Sequence, residues 1–154
     1  MNSIIQLIAV CAIPLIFSIT MHEAAHGYAA RKFGDNTAWM MGRVTLNPAK
    51  HIDPFGTIIL PLIMLAGSAA AGGVGFIFGW AKPVPVNFGA LRNPKRDMIW
   101  VALAGPGCNL LQAVIWGIIL KLLVIAGVQE QFFLQMAVYG ISINIFLMAF
   151  NLIP

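Results

Sequence analysis

Charge is what this sequence has least of. Of 154 residues only nine are Lys or Arg and five are Asp or Glu, 9% in all, against roughly 25% in an ordinary soluble domain. With 60% of residues hydrophobic and a mean hydropathy of +0.87, that scarcity excludes a water-soluble domain and leaves a chain that lives in lipid. Cysteine is nearly absent as well. Cys11 and Cys108 lie far apart inside apolar runs, which excludes a disulfide framework or a cysteine metal motif and leaves two small apolar residues. The net charge of +4 does not mark a nucleic-acid binder, because the cations sit in short segments beside apolar runs rather than in a stripe with interleaved aromatics. They read as cytoplasmic anchors. The first apolar stretch lacks a basic segment before it and a convincing cleavage site after it, so it is expected to be retained rather than removed as a signal peptide.

Four apolar stretches remain, at about 4–30, 57–80, 98–126 and 132–153. The first, at 1.5 Å per residue, gives a helix of about 40 Å, enough to cross a bilayer. Pro14 should kink it, Arg31 and Lys32 should stop it, and Gly34-Asp35-Asn36 supplies turn chemistry afterwards. The segment 37–56 is too polar to span and reads as an interfacial loop or hairpin with a strand-like piece at Gly42-Arg43-Val44-Thr45-Leu46. The stretch 57–80 is long enough to cross but is interrupted by Pro61 and by Gly67, Gly72, Gly73, Gly75 and Gly79. A single crossing would put the basic loops 31–50 and 82–96 on opposite sides, against the positive-inside bias; a re-entrant hairpin keeps both cytoplasmic. The expected fold is therefore an all-α membrane protein, one domain over 1–154, with three transmembrane helices plus a re-entrant hairpin or a fourth crossing at 57–80.

The chemistry is concentrated at His22-Glu23-Ala24-Ala25-His26, at the end of the first apolar run. Positions i and i+4 share a helix face, so His22 and His26 can offer neutral nitrogens to one Zn²⁺ while Glu23, one residue round, reaches water held by the metal. Ionisable groups are costly at such a depth and call for a function. His22 lies nine positions before Arg31, about 13 Å from the cytoplasmic boundary, and Gly105-Pro106-Gly107-Cys108-Asn109 begins about 12 Å into the third apolar stretch. The two motifs are expected at one level, with the glycines permitting close approach and Asn109 offering an amide. Asn151 should come down near the same region, while Asn144 bridges helices. A transporter or ion relay using His22, Glu23 and His26 is the competing reading, although it would need polar layers at several depths.

HEAAH in an intramembrane helix, GPGCN in a later one and FNLIP at residues 150–154 resemble the site-2 protease family of intramembrane zinc metalloproteases, in particular its small bacterial members. GRVTLNPAKHIDPFG and GWAKPVPVN are similar to the same subgroup, so the resemblance covers nearly the whole chain. It implies an intramembrane zinc endopeptidase of a bacterial plasma membrane that cleaves transmembrane segments of other proteins. His22 and His26 would be zinc ligands, Glu23 the general base and Asn109 a residue that holds or polarises substrate; the re-entrant hairpin or the 42–46 strand could hold an extended substrate segment. Family members complete the metal site with the aspartate of an Asp-Gly pair a few residues beyond Pro154. The expectation is a C-terminally truncated core that binds zinc weakly, with Asp53 on the 47–56 loop as the one substitute ligand to consider.

Overall fold

Hydrocarbon offers main-chain N–H and C=O groups no partner, so a lipid-exposed segment must pair them internally, and three of the four apolar stretches fold as long helices. The computed structural model describes residues 3–72 and 79–153. Helix α1 (Ser3–Lys32) is followed by a single turn, α2 (Thr37–Met40), and by a widened turn at Pro54–Ile59 that runs into α3 (Leu60–Ala70). An extended segment then leads to α4 (Pro94–Ile125) and α5 (Gln131–Leu152). Helices α1, α4 and α5 are long and apolar enough to cross a membrane. The chain is an all-α membrane protein.

The C-terminal end of α1 and the N-terminal end of α4 lie further out than the apolar runs suggested, because polar residues extend them. Asn93 precedes Pro94 at the first position of α4, and its N–H donates to Asp97 Oδ2 at 2.8 Å, so the charged first turn belongs to the helix. At the far ends, Gly34 and Gly127 adopt positive φ of 109° and 73°. Asp35 N–H then returns to Ala30 O at 2.9 Å and Val128 N–H to Leu123 O at 3.0 Å, closing α1 and α4 with the same Schellman arrangement.

Helices α1, α4 and α5 pack as an antiparallel bundle. Their outer faces carry exposed Ile8, Phe17, Leu111, Ile118, Val138 and Phe146, whereas the interior holds Val10, Ser18, Asn109, Gln112, Ala137 and Asn144. Large apolar residues toward lipid and small or hydrogen-bonded polar ones between helices is the membrane pattern. Ala30, Leu91 and Val101 form a small core where α1 ends and α4 begins, and the Arg92 guanidinium bonds Lys32 O there. Whatever lies between Phe33 and Asn93 thus leaves and returns at one end of the bundle. Helix α3 and the widened turn that runs into it hold 11 and 6 residues, together roughly 25 Å and short of the roughly 30 Å hydrocarbon core. Both facts suit a re-entrant hairpin, whose return would fall at 73–78, outside the described residues.

The strand expected at 42–46 does not form; the segment is a turn and bends. Instead of entering a ladder, Arg43 is buried and its guanidinium donates to Lys82 O at 2.9 Å and Pro83 O at 3.3 Å. Across from it, Pro83 and Pro85 lack the N–H groups that a strand pair would need.

Candidate metal centre

One face of α1 carries Ser18, His22 and His26 at successive steps of four residues, and α4 presents Val101, Gly105 and Asn109 to it at the same spacing. His22 is buried and His26 half-buried. His26 Nδ1 stands 2.7 Å from Val101 O, a main-chain carbonyl that can only accept, so Nδ1 donates. His22 Nδ1 stands 2.5 Å from Asn109 Oδ1 and donates likewise. Each ring therefore keeps its hydrogen on Nδ1 and turns a bare Nε2 lone pair inward. The two Nε2 atoms converge to 3.0 Å, where two bare lone pairs repel unless a cation lies between them, and near the roughly 3.3 Å between two nitrogens at about 2.05 Å from a tetrahedral zinc ion.

The space for the pair comes from Gly105. A Cβ there would lie 2.6 Å from His22 Cε1 and Nε2 and closer still to His26 Nε2, so the helix leaves room for two rings where any larger residue would collide with them. Convergent imidazole nitrogens, tautomers set by their outer hydrogen bonds, and a pocket of glycine size suit two ligands of a zinc ion.

Glu23 projects to one side of this pair, where its Oε2 accepts from Val84 N–H at 3.0 Å. Val84 belongs to the extended segment between Trp80 and Asn87, which is held along its length. Lys82 N–H donates to His51 O at 2.9 Å, Arg43 takes the Lys82 and Pro83 carbonyls, and Asn87 N–H donates to Asp35 Oδ2 at 2.6 Å. Burial of Asp35 by itself would raise its pKa. The hydrogen bonds from Thr37 Oγ1, Thr37 N–H and Asn87 N–H outweigh burial and hold the carboxyl below its ordinary value.

The structure thus brings His22, His26 and Asn109 together at one level and sets Glu23 beside them. Asn144 bridges helices, as expected, through Ser18 and Asn109. Asn151 does not join them: it is exposed, and its amide bonds Leu147 O on its own helix at 2.7 Å. Asp53 is also engaged elsewhere, capping the turn at Gly56 N–H and accepting from Trp80 Nε1 at 2.5 Å. Among the described residues no third His, Cys, Asp or Glu completes a metal-holding group. The sequence reading passed over Ser18 and Gln112, although Ser18 shares the i, i+4, i+8 face with the histidines. No local signal marks Val84 as the partner of Glu23.

The family model for peptidase family M50, the site-2 proteases, matches residues 10–141. The chain belongs to that family. It is 42% identical to YwhC of Bacillus subtilis, a candidate zinc metalloprotease, over 97% of this chain and 65% of that protein, and so spans a little under two thirds of that relative's length. A second relative, the candidate zinc metalloprotease Rip2 of Mycolicibacterium smegmatis, is 34% identical over 65% of this chain and 35% of its own length. Rip2 of Mycobacterium tuberculosis is 30% identical over the same shares. No solved structure matches significantly. Membership of M50 favours a peptidase over a transporter built on the same histidines.

Proposed function

We propose that this chain forms the membrane-embedded catalytic core of a zinc endopeptidase of a bacterial plasma membrane, acting on transmembrane segments of other membrane proteins. The observation that carries the reading is the pair of bare Nε2 atoms 3.0 Å apart, roofed by Gly105 and flanked by Glu23. His22 and His26 would hold the zinc, and the remaining positions would be filled from outside the described residues. A zinc ion there supplies Lewis acidity, polarising a carbonyl and acidifying water into the neutral range.

The side chains do the rest. Glu23 takes the proton of the attacking water and returns it to the leaving amine. Its carboxylate is aimed by Val84 N–H, so the 80–87 segment positions the base. Asn109, expected to hold substrate, has its amide engaged by His22, Asn144 and Ser18 in the resting chain; contact with substrate would draw on the second lone pair of Oδ1. A substrate helix hides its carbonyls in its own hydrogen bonds and must unwind before the site can act on it.

The test is Glu23→Gln in the full-length natural protein, incubated with a membrane-spanning test peptide. The variant should keep its zinc and lose cleavage. Equal cleavage by wild type and variant contradicts the mechanism.

A further inference from the structure

Beneath the histidines lies a set of buried polar groups of which the mechanism uses only Asn109: Ser18, Asn109 and Asn144 are all fully enclosed, one on each helix of the bundle. We propose that Ser18 and Asn144 are positioning residues that lock the tautomer of His22 through Asn109, so that α5, which carries no proposed zinc ligand, sets the readiness of the site. This inference rests on the zinc-protease reading above and names how its first ligand is prepared.

The argument follows hydrogen-bond polarity from a fixed end. Gly140 O, a main-chain carbonyl, can only accept, and Asn144 stands 2.8 Å from it, so the Asn144 atom facing it is Nδ2. Asn144 Oδ1 must then face the other way, toward Ser18 Oγ at 2.7 Å and the Asn109 amide at 2.9 Å. Ser18 O–H donates to it. The Asn109 atom facing this oxygen must also be a donor, hence Nδ2, which shares its hydrogens with Ser18 Oγ at 3.2 Å. That leaves Asn109 Oδ1 pointing at His22 Nδ1, 2.5 Å away, where it demands a proton on Nδ1 and frees Nε2. Turning either amide over would press two acceptor oxygens together in a dry interior, so the polarity runs one way from Gly140 to His22. His26 is set independently by Val101 O.

The same polarity explains three polar side chains buried between membrane helices, where packing alone would be served by apolar residues. Gln112 adds a weaker contact, its Nε2 lying 3.5 Å from Ser18 O. Outer-shell partners of ligating histidines commonly fix ring orientation and tautomer, and their loss lowers metal affinity about 10–100-fold.

The experiment reads the tautomer directly, by ¹⁵N-histidine magnetic resonance of the whole chain in lipid nanodiscs with no metal added, followed by zinc titration. Wild type should show the hydrogen on Nδ1 in both His22 and His26. In Asn144→Leu, the Asn109 amide loses its shortest partner and keeps only the longer contacts to Ser18 Oγ and Ser18 O at 3.2 and 3.4 Å, and His22 should populate both tautomers while His26, anchored on Val101, stays as it was. Zinc affinity should fall about tenfold or more. Ser18→Ala should shift His22 in the same direction by less, and it decides the matter if Asn144→Leu disturbs His26 as well. A His22 that keeps Nδ1–H undiminished in the variants, or that carries Nε2–H in wild type, overturns the lock. Because the tautomer is read without metal or substrate, an active Glu23→Gln protein would defeat the protease reading and leave this result standing.

Discussion

The bundle interior and the layer of chain between Phe33 and Asn93 hold themselves together in opposite ways. In the bundle the helices satisfy their own main chains, and the buried polar side chains are free to bond one another: Ser18 to Asn144, Asn144 to Asn109, Asn109 to His22. In the layer, short helical pieces alternate with irregular chain, and buried side chains are spent on main-chain groups. Asp35 takes the Thr37 and Asn87 amides, Arg43 the Lys82 and Pro83 carbonyls, and His51 stands 2.9 Å from Thr45 O. The first arrangement fixes the orientation and protonation of ring nitrogens; the second fixes the path of a loop. Glu23 belongs to both, growing from α1 and held by Val84 of the layer. Ligand geometry is thus assigned to the helix bundle and the aim of the base to the layer beside it.

The sharpest way to break this division is to fill the space it leaves for the rings. Gly105→Val puts side-chain atoms on His22 and His26 and should lower zinc affinity about 100-fold or more, the upper end for disrupted ligand geometry, as read by titration against a competing chelator. Because α4 is anchored before Gly105 by the Asn93–Asp97 and Val101–His26 hydrogen bonds and after it by Asn109, helix content by circular dichroism should hold. Val84→Pro tests the other side: it removes the N–H that aims Glu23 in a segment already bounded by two prolines. The loss of a hydrogen bond to a charged group is worth about 1.5–3 kcal/mol, so kcat should fall roughly tenfold to a hundredfold, with zinc content unchanged. A fall in zinc content instead would mean that the layer and the bundle are one unit.

Asp35 gives the smallest effect and the clearest sign. Its folded pKa lies below its unfolded value, so its contribution is present above the unfolded value, about 3.9, and is lost as pH falls through the folded one. Asp35→Asn should destabilise the layer by about 1–3 kcal/mol at neutral pH, seen as faster amide exchange at Thr37 and Asn87. The difference from wild type should shrink as the pH drops below about 4, while exchange in α4 and α5 stays as it was.

The bundle was largely legible in the sequence and the layer was not, for the same physical reason. Helix spacing and bilayer depth are local arithmetic. Counting residues from Arg31 and from Asp97 put the HEAAH and GPGCN motifs at one level, and His22 and Asn109 of those motifs meet at 2.5 Å. The layer depends on pairings between residues 39, 52 and 61 positions apart, Arg43 with Lys82, Asp35 with Asn87, Glu23 with Val84, and no period or spacing encodes these. The strand expected at 42–46 was read without regard to a partner, and the prolines at 83 and 85 deny it one. Ser18 lies one helical step below His22, on the same face, but a lone serine in an apolar run carries no motif of its own.

The central claim is that His22 and His26 together bind zinc through Nε2. Zinc K-edge absorption on the full-length natural protein tests it most directly. The account predicts two imidazole nitrogens at about 2.0–2.1 Å in wild type and in Glu23→Gln, and loss of the metal in both His22→Ala and His26→Ala. A zinc environment without imidazole scattering, or one that survives either histidine substitution, would contradict it.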